Sequence, residues 1–216
     1  MYKIGLDISS IGFLVLINCD TKEIVDICKV PQKIGASEYE KQITKLKPLL
    51  KEKGMKTKTQ KQIVELNNEI LNCPRDVDRV INWLFECKAK YGNLIVNIEK
   101  PLVQTFGGSQ ISSFLKMAEY MGIMTTILDY VGFEYNIIPI ETWRNNYNYN
   151  KMDKDKVSEL IKSTKKTKTA ITREFAKQES IRIAEELIPN IKEWYILKGC
   201  RTINVDIVES ALLSMV

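Results

Sequence analysis

Residues 2–18 read YKIGLDISSIGFLVLIN, and the way they fold decides the architecture of everything that follows. Through 2–7 the residues alternate, with Tyr2, Ile4 and Leu6 on one face and Lys3, Gly5 and Asp7 on the other, the period-two pattern of a strand. Ser9, Ser10 and Gly12 supply a turn, and the apolar run FLVLIN a second strand. Cys19-Asp20-Thr21-Lys22 turns the chain again into a third strand, EIVDICKV. Three consecutive strands on short links make an antiparallel meander.

Beyond the meander the composition changes. Residues 38–72 are rich in lysine and glutamate, and their helical spacing breaks near Pro48 and Gly54. Two helical stretches are expected, the second around KQIVELNNEIL, as a solvated insertion spanning 34–74 in a single domain of residues 1–216, with a dedicated DNA-binding arm as the alternative. After Pro74, Val77, Val80, Ile81, Leu84 and Phe85 recur at helical spacing, which predicts a helix packed on the sheet. NLIVNIE at 93–99 is a fourth strand ending in Glu99 and stopped by Pro101. A loop with Gly107 and Gly108 leads to a long helix from Ser109 to Val131, closed by Gly132. EYNIIPI is a fifth strand, and Tyr147 to Asn150 read as loop. The basic stretch KSTKKTKTAITR precedes a helix with Phe175, Ile181, Ala184, Leu187 and Ile188 at apolar positions. The final helix, DIVESALLSMV, is cut short by the end of the chain. A meander followed by strands alternating with helices predicts an α/β fold with a five-stranded mixed sheet.

The bulk properties narrow the chemistry. With 216 residues, 44% hydrophobic and 27% charged, the chain can bury a full core. Its net charge of +5 favours a polyanionic partner, although many proteins without one are equally basic. Five cysteines, Cys19, Cys28, Cys73, Cys87 and Cys200, form no C-x-x-C pair, so reduced thiols in a cytosol-like compartment are expected. No signal peptide and no membrane-spanning run are expected either. There is no histidine, the usual general base near neutral pH. A hydrolase of this composition must use a perturbed carboxylate or lysine, a cysteine, or hydroxide generated on a metal.

Four carboxylates stand at telling positions. Asp7 ends the first strand, Glu99 ends the fourth, and Asp206 and Glu209 open the last helix. The spacing i, i+3 puts the last two on one helix face, and strand-end acids on neighbouring strands can converge at a sheet edge. Four such groups repel unless a cation neutralises them, and Mg²⁺, a hard ion with oxygen ligands, suits them. Local alternatives exist for each. Asp7 can cap a turn before Ser9, Glu99 can be a solvated strand end, and Asp206 with Glu209 can form a capping box.

Taken together, these segments resemble the RuvC family of Holliday junction resolvases, in particular its phage-type and related bacterial members. IGLDISSIGFLVL resembles the family's first hairpin with its leading aspartate, and NIEKPL the strand bearing its glutamate. GGSQISSFLKMAEYMGIMTTILDYVGFEYNIIPIETWR resembles the loop, long helix, fifth strand and Pro-x-x-Trp-basic signature, here Pro139, Trp143 and Arg144. KQESIRIAEELIP and VDIVESALL resemble the last two helices. The chain departs from the pattern in carrying Glu209 where aspartate is commoner, and in the length of the 34–74 insertion. The resemblance implies a ribonuclease H-like fold and a homodimeric endonuclease that nicks four-way DNA junctions in the cytoplasm of a bacterium or of a phage host. It implies two Mg²⁺ ions per site, replaceable by Mn²⁺, with Asp7 bridging them and Glu99, Asp206 and Glu209 completing their shells. One ion would activate the attacking water and the other would stabilise the leaving 3′ oxygen.

Phosphate contacts are expected from Arg144, Lys162, Lys165, Lys166, Lys168, Arg173 and Lys177, with the backbone at Gly107 and Gly108 approaching DNA closely. Phe106 is a candidate wedge, though core packing is the commoner use of a phenylalanine. Two other readings remain open. A ribonuclease H-like nuclease or strand-transfer domain without junction specificity would share the acids. IGLDISSIG also resembles the first phosphate-binding turn of the actin-like ATPase fold, which requires a second such turn that is not evident here.

Overall fold

The structure, a computed structural model, describes residues 1–8, 12–52, 55–101, 108–149, 154–164 and 166–216, with the side chains of 108–114, 154 and 156 outside that description. In chain order the elements are β1 (Tyr2–Leu6), β2 (Phe13–Asn18), β3 (Glu23–Lys29), α1 (Ala36–Leu46), α2 (Lys56–Asn72), α3 (Val77–Tyr91), β4 (Ile95–Glu99) and α4 (Gly108–Val131). They continue with β5 (Glu134–Ile138), α5 (Ile140–Asn145), α6 (Lys154–Thr164), α7 (Lys168–Leu187), α8 (Ile191–Trp194) and α9 (Val205–Ser214). The chain divides into two compact units, Met1–Val30 with Trp83–Val216, and Pro31–Asn82.

The first unit holds the sheet, in the order β3-β2-β1-β4-β5. β1 pairs antiparallel with β2 and β2 with β3, whereas β4 runs parallel to both β1 and β5. This is the mixed five-stranded arrangement expected from the meander and the later alternation of strands with helices. β2 is buried from Phe13 to Ile17, as befits a strand covered on both faces. One of those faces carries the main apolar cluster, in which Phe13, Val15 and Ile17 pack with Trp143, Ile183, Ala184, Ile188, Ile207 and Ala211.

α9 lies on the same face of β1, which is the face that looks polar in the sequence. Lys3 Nζ donates to the Val216 carbonyl at 2.8 Å, and the Asp7 amide donates to Ser210 Oγ at 3.0 Å. Between them sits Gly5, where an added Cβ would fall 1.8 Å from the Ser210 carbonyl oxygen and 2.7 Å from the Ser214 nitrogen. Only glycine allows the helix to come this close to the strand. Asn97, buried in β4, donates to the Leu213 carbonyl at 3.0 Å and ties the far end of α9 to the sheet.

The second unit is helical. α1 and α2 are separated by a 3-10 turn, Lys47–Lys51, at Pro48, where the missing amide hydrogen interrupts helix bonding. The expected insertion at 34–74 falls within this unit. Lys33 Nζ donates to the Ile70 and Leu71 carbonyls at 2.9 Å each, closing the C-terminal end of α2.

Two expectations need correction. Phe85 is 44% exposed and meets Tyr130 edge-on, because the buried stripe of α3 runs through Val80, Leu84 and Cys87, and Phe85 lies about 100° round the helix from Leu84. Gly108 is not in a loop but opens α4. Helices α5, α6 and α8 were not legible, being short or, in α6, presenting few apolar residues (Val157, Leu160, Ile161) within a charged run. The described cysteines are all free thiols, with Cys28 and Cys87 buried and Cys200 exposed. Among the described residues, no helix is long and apolar enough to cross a membrane.

Candidate functional site

Three elements deliver acids to one edge of the sheet. In the β1–β4 register Leu6 pairs with Ile98, so the next step along both strands brings Asp7 beside Glu99. Gly5 pairs with Asn97, and the alternation of side chains places Asp7 and Glu99 on the α9 face with them. α9 starts at this edge, and its N-cap is Asn204, whose side chain accepts from the Asp206 and Ile207 amides. The capping role thus falls to Asn204 and not to Asp206. Asp206 and Glu209 then follow on one face of the first turns.

Ser210 fixes the height of this helix. Its hydroxyl donates to the Phe13 carbonyl at 2.9 Å while accepting from the Asp7 amide, so one buried side chain joins α9 to the ends of both β1 and β2.

The electrostatics show how closely the acids crowd. The Asp7 carboxyl is held well above the ordinary carboxylate range by burial first, then by the charges of Glu99, Glu209 and Asp206 in that order, against a lowering pull from Arg144. Glu99 is raised to about 7, again by burial first and then by Glu209, opposed by its hydrogen bond from Trp143 and by Arg144. The charges of Glu99, Glu209 and Asp206 thus all bear on Asp7.

α5 supplies the partners that hold two of the acids. Trp143, fully buried, donates its indole N–H to Glu99 Oε2 at 2.8 Å. The next residue, Arg144, donates from Nη2 to Glu209 Oε1 at 2.9 Å. The same Glu209 oxygen lies 2.9 Å from Ser180 Oγ on α7, which in turn stands 2.9 Å from the Tyr149 hydroxyl. The guanidinium carbon of Arg144 sits 5.1 Å from the Trp143 ring centre and 5.6 Å from that of Tyr149.

An all-oxygen set of carboxylates, two of them raised by burial first and then by neighbouring charge, has the donor chemistry of a site for hard divalent cations. As the side chains stand, however, no three described Cys, Asp or Glu groups are gathered closely enough to hold an ion. Glu209 is bonded instead to Arg144 and Ser180, and Glu99 to Trp143.

The expected phosphate contacts are distributed differently. Arg144 is beside the acids and paired with Glu209. Lys168 and Arg173 are exposed on the first turns of α7, and Lys177 is partly exposed one turn before Ser180. Lys162 is exposed on α6, and Lys166 is exposed but paired with Glu174 at 2.7 Å. Phe106, Gly107 and Lys165 lie outside the described residues. Ser180, Tyr149, Asn204 and Ser210 were not singled out by sequence; each matters through a partner brought near by folding, and Asn204 alone had a local signal, as a helix-capping residue before an apolar run.

No protein-family model matches the chain, and no curated protein does. Among solved structures it is similar to T. thermophilus RuvC in complex with Holliday junction substrate, with a TM-score of 0.47 and 8% identity over 100% of this chain and 91% of that one. The role of the site rests on its own side chains.

Proposed function

We propose that this chain is a metal-dependent, structure-selective DNA endonuclease that resolves four-way junctions by paired nicks, working as a homodimer with two Mg²⁺ ions per site that Mn²⁺ can replace. The observation that carries this reading is the crowding of Asp7 by Glu99, Asp206 and Glu209 at the end of β1. Asp7 is the group on which the charges of the other three all act, and Asp7, Glu99, Asp206 and Glu209 would together hold the ions. Bound there, the ions would supply activation of a water and stabilisation of the leaving oxygen.

The remaining work falls to the chain itself. With no histidine to move a proton, the side chains position and neutralise. Trp143 orients Glu99 through its indole N–H, and Ser210 fixes α9 so that Asp206 and Glu209 face the strand ends. The cations of α7, Lys168, Arg173 and Lys177, offer phosphate contacts along the helix that also carries Ser180.

The test compares cutting of a four-way junction with cutting of a linear duplex of the same sequence, each with and without Mg²⁺. Paired nicks in the junction alone, dependent on Mg²⁺, are expected. Equal cutting of both substrates would leave a nuclease without junction specificity, and no cutting of either would overturn the reading.

A further inference from the structure

Arg144 is placed where a nuclease of this kind would need a cation. Its side chain is 27% exposed, and it pairs at 2.9 Å with Glu209, whose side chain is 10% exposed. It also lowers the charge burden on both Asp7 and Glu99. Cation–π contacts with the Trp143 and Tyr149 rings help to hold it in position. Yet the pairing is incomplete, because Arg144 Nε is buried with no hydrogen-bond partner among the described residues. A buried donor with no acceptor costs stability, so this arrangement is one the side chain can leave without losing its best geometry.

We propose that Arg144 is a built-in counter-ion that competes with divalent metal for Glu209, so that metal entry requires the Arg144–Glu209 pair to open. The inference rests on the metal-site reading above and adds a regulatory step to it. In the closed arrangement Glu209 is held by Arg144 and Ser180, away from a shared coordination sphere. When Glu209 turns to an ion, Arg144 is left cationic beside the site, still in contact with its two rings, and the approaching DNA phosphate becomes its natural partner. Arg144 thereby links metal loading to substrate: each weakens the closed pair, so each favours the other.

The measurement is calorimetric titration of the DNA-free protein with Mn²⁺ and with Mg²⁺, on wild type, Arg144→Gln and Arg144→Lys. Removing the competitor should tighten metal binding in Arg144→Gln by about tenfold, a typical size for coupling between two sites. Arg144→Lys, which keeps the charge, should stay close to wild type. A purely structural role would weaken metal binding in Arg144→Gln, and equal or weaker binding there overturns the proposal. If neither ion binds any of the three proteins, the metal-site reading itself fails and the proposal with it. Should Arg144→Gln not fold, the wild type still decides: the Arg144 Nε–H resonance, identified by its loss in Arg144→Lys, should shift on saturation with Mg²⁺. A resonance that stays in place while Mg²⁺ binds overturns the inference.

Discussion

The acid-bearing edge of the sheet and the helical unit Pro31–Asn82 use polar residues in opposite ways. At the sheet edge, polar groups are drawn into the interior and given partners: Asn97, Ser180, Glu209 and Ser210 are all buried and hydrogen-bonded. In the helical unit the one buried polar side chain described is Thr59, whose hydroxyl has no partner among the described residues, and most of the described charged side chains are exposed, with Lys33, Arg75 and Asp76 half-buried. The contrast is sharpest in two ion pairs. Arg144–Glu209 is 27% and 10% exposed, whereas Lys41–Glu38, at 3.5 Å, is 69% and 70% exposed. Burying a charge is costly unless something repays it, and on the proposed reading the repayment at the sheet edge is chemistry, for which a solvated run has no need.

The largest expected effect tests that claim directly. Asp7→Asn removes the carboxylate on which the other three converge, while leaving the amide that bonds to Ser210. Junction cleavage should fall on the order of a thousandfold or more, with junction binding largely kept. Nicking at the wild-type rate, measured on the same labelled junction, would remove Asp7 from the chemistry.

The next effect is on folding. Gly5→Ala would place a methyl 1.8 Å from the Ser210 carbonyl oxygen, a backbone atom that cannot swing away. Strand and helix must part, at a cost of about 3 kcal/mol or more, as overpacking of a tight interface does. Denaturant unfolding of the variant measures this, and a midpoint equal to wild type would mean that α9 does not lie against β1 as described.

How much of this was legible before folding follows from the same geometry. The alternation of 2–7 already separates Lys3, Gly5 and Asp7 from the apolar face, and strand ends and i, i+3 spacing pick out all four acids. What one-dimensional reading could not supply is the company each acid keeps. Ser180 is 29 residues from Glu209 in sequence, and Arg144 is 65 residues away, yet both bond the same oxygen. From its position after Trp143, Arg144 reads as a phosphate contact; only the fold turns it towards an acid. In the helical unit the break at Pro48 was legible because proline acts locally through its own backbone, with no distant partner required.

A third prediction concerns pH, and its effect is intermediate. Burial and Glu209 raise the Glu99 carboxyl from 4.5 to about 7. The folded protein therefore keeps a proton there that the unfolded chain gives up near 4.5, so between about 4.5 and about 7 stability falls as pH rises. Asp7, raised in the same direction, adds to the slope. Thermal melts of metal-free protein across this window should show a declining Tm, with a shallower decline in Glu99→Gln because only Asp7 remains. An unchanged slope in Glu99→Gln would show that Glu99 is not held protonated by its neighbours.

The smallest effect is expected at the other end of the comparison. Lys41→Ala removes the partner of Glu38 on α1, three residues away on a helix surface and well exposed. Solvent screening and the freedom of two long side chains leave such a pair worth at most about 0.5 kcal/mol. Alanine is also a better helix former than lysine, which offsets part of that loss. Unfolding stability should therefore stay within roughly 0.5 kcal/mol of wild type, and junction cleavage should be unchanged. A large loss of cleavage in Lys41→Ala, with stability intact, would give the helical unit a role on DNA and end the contrast drawn between a built site and a solvated insertion.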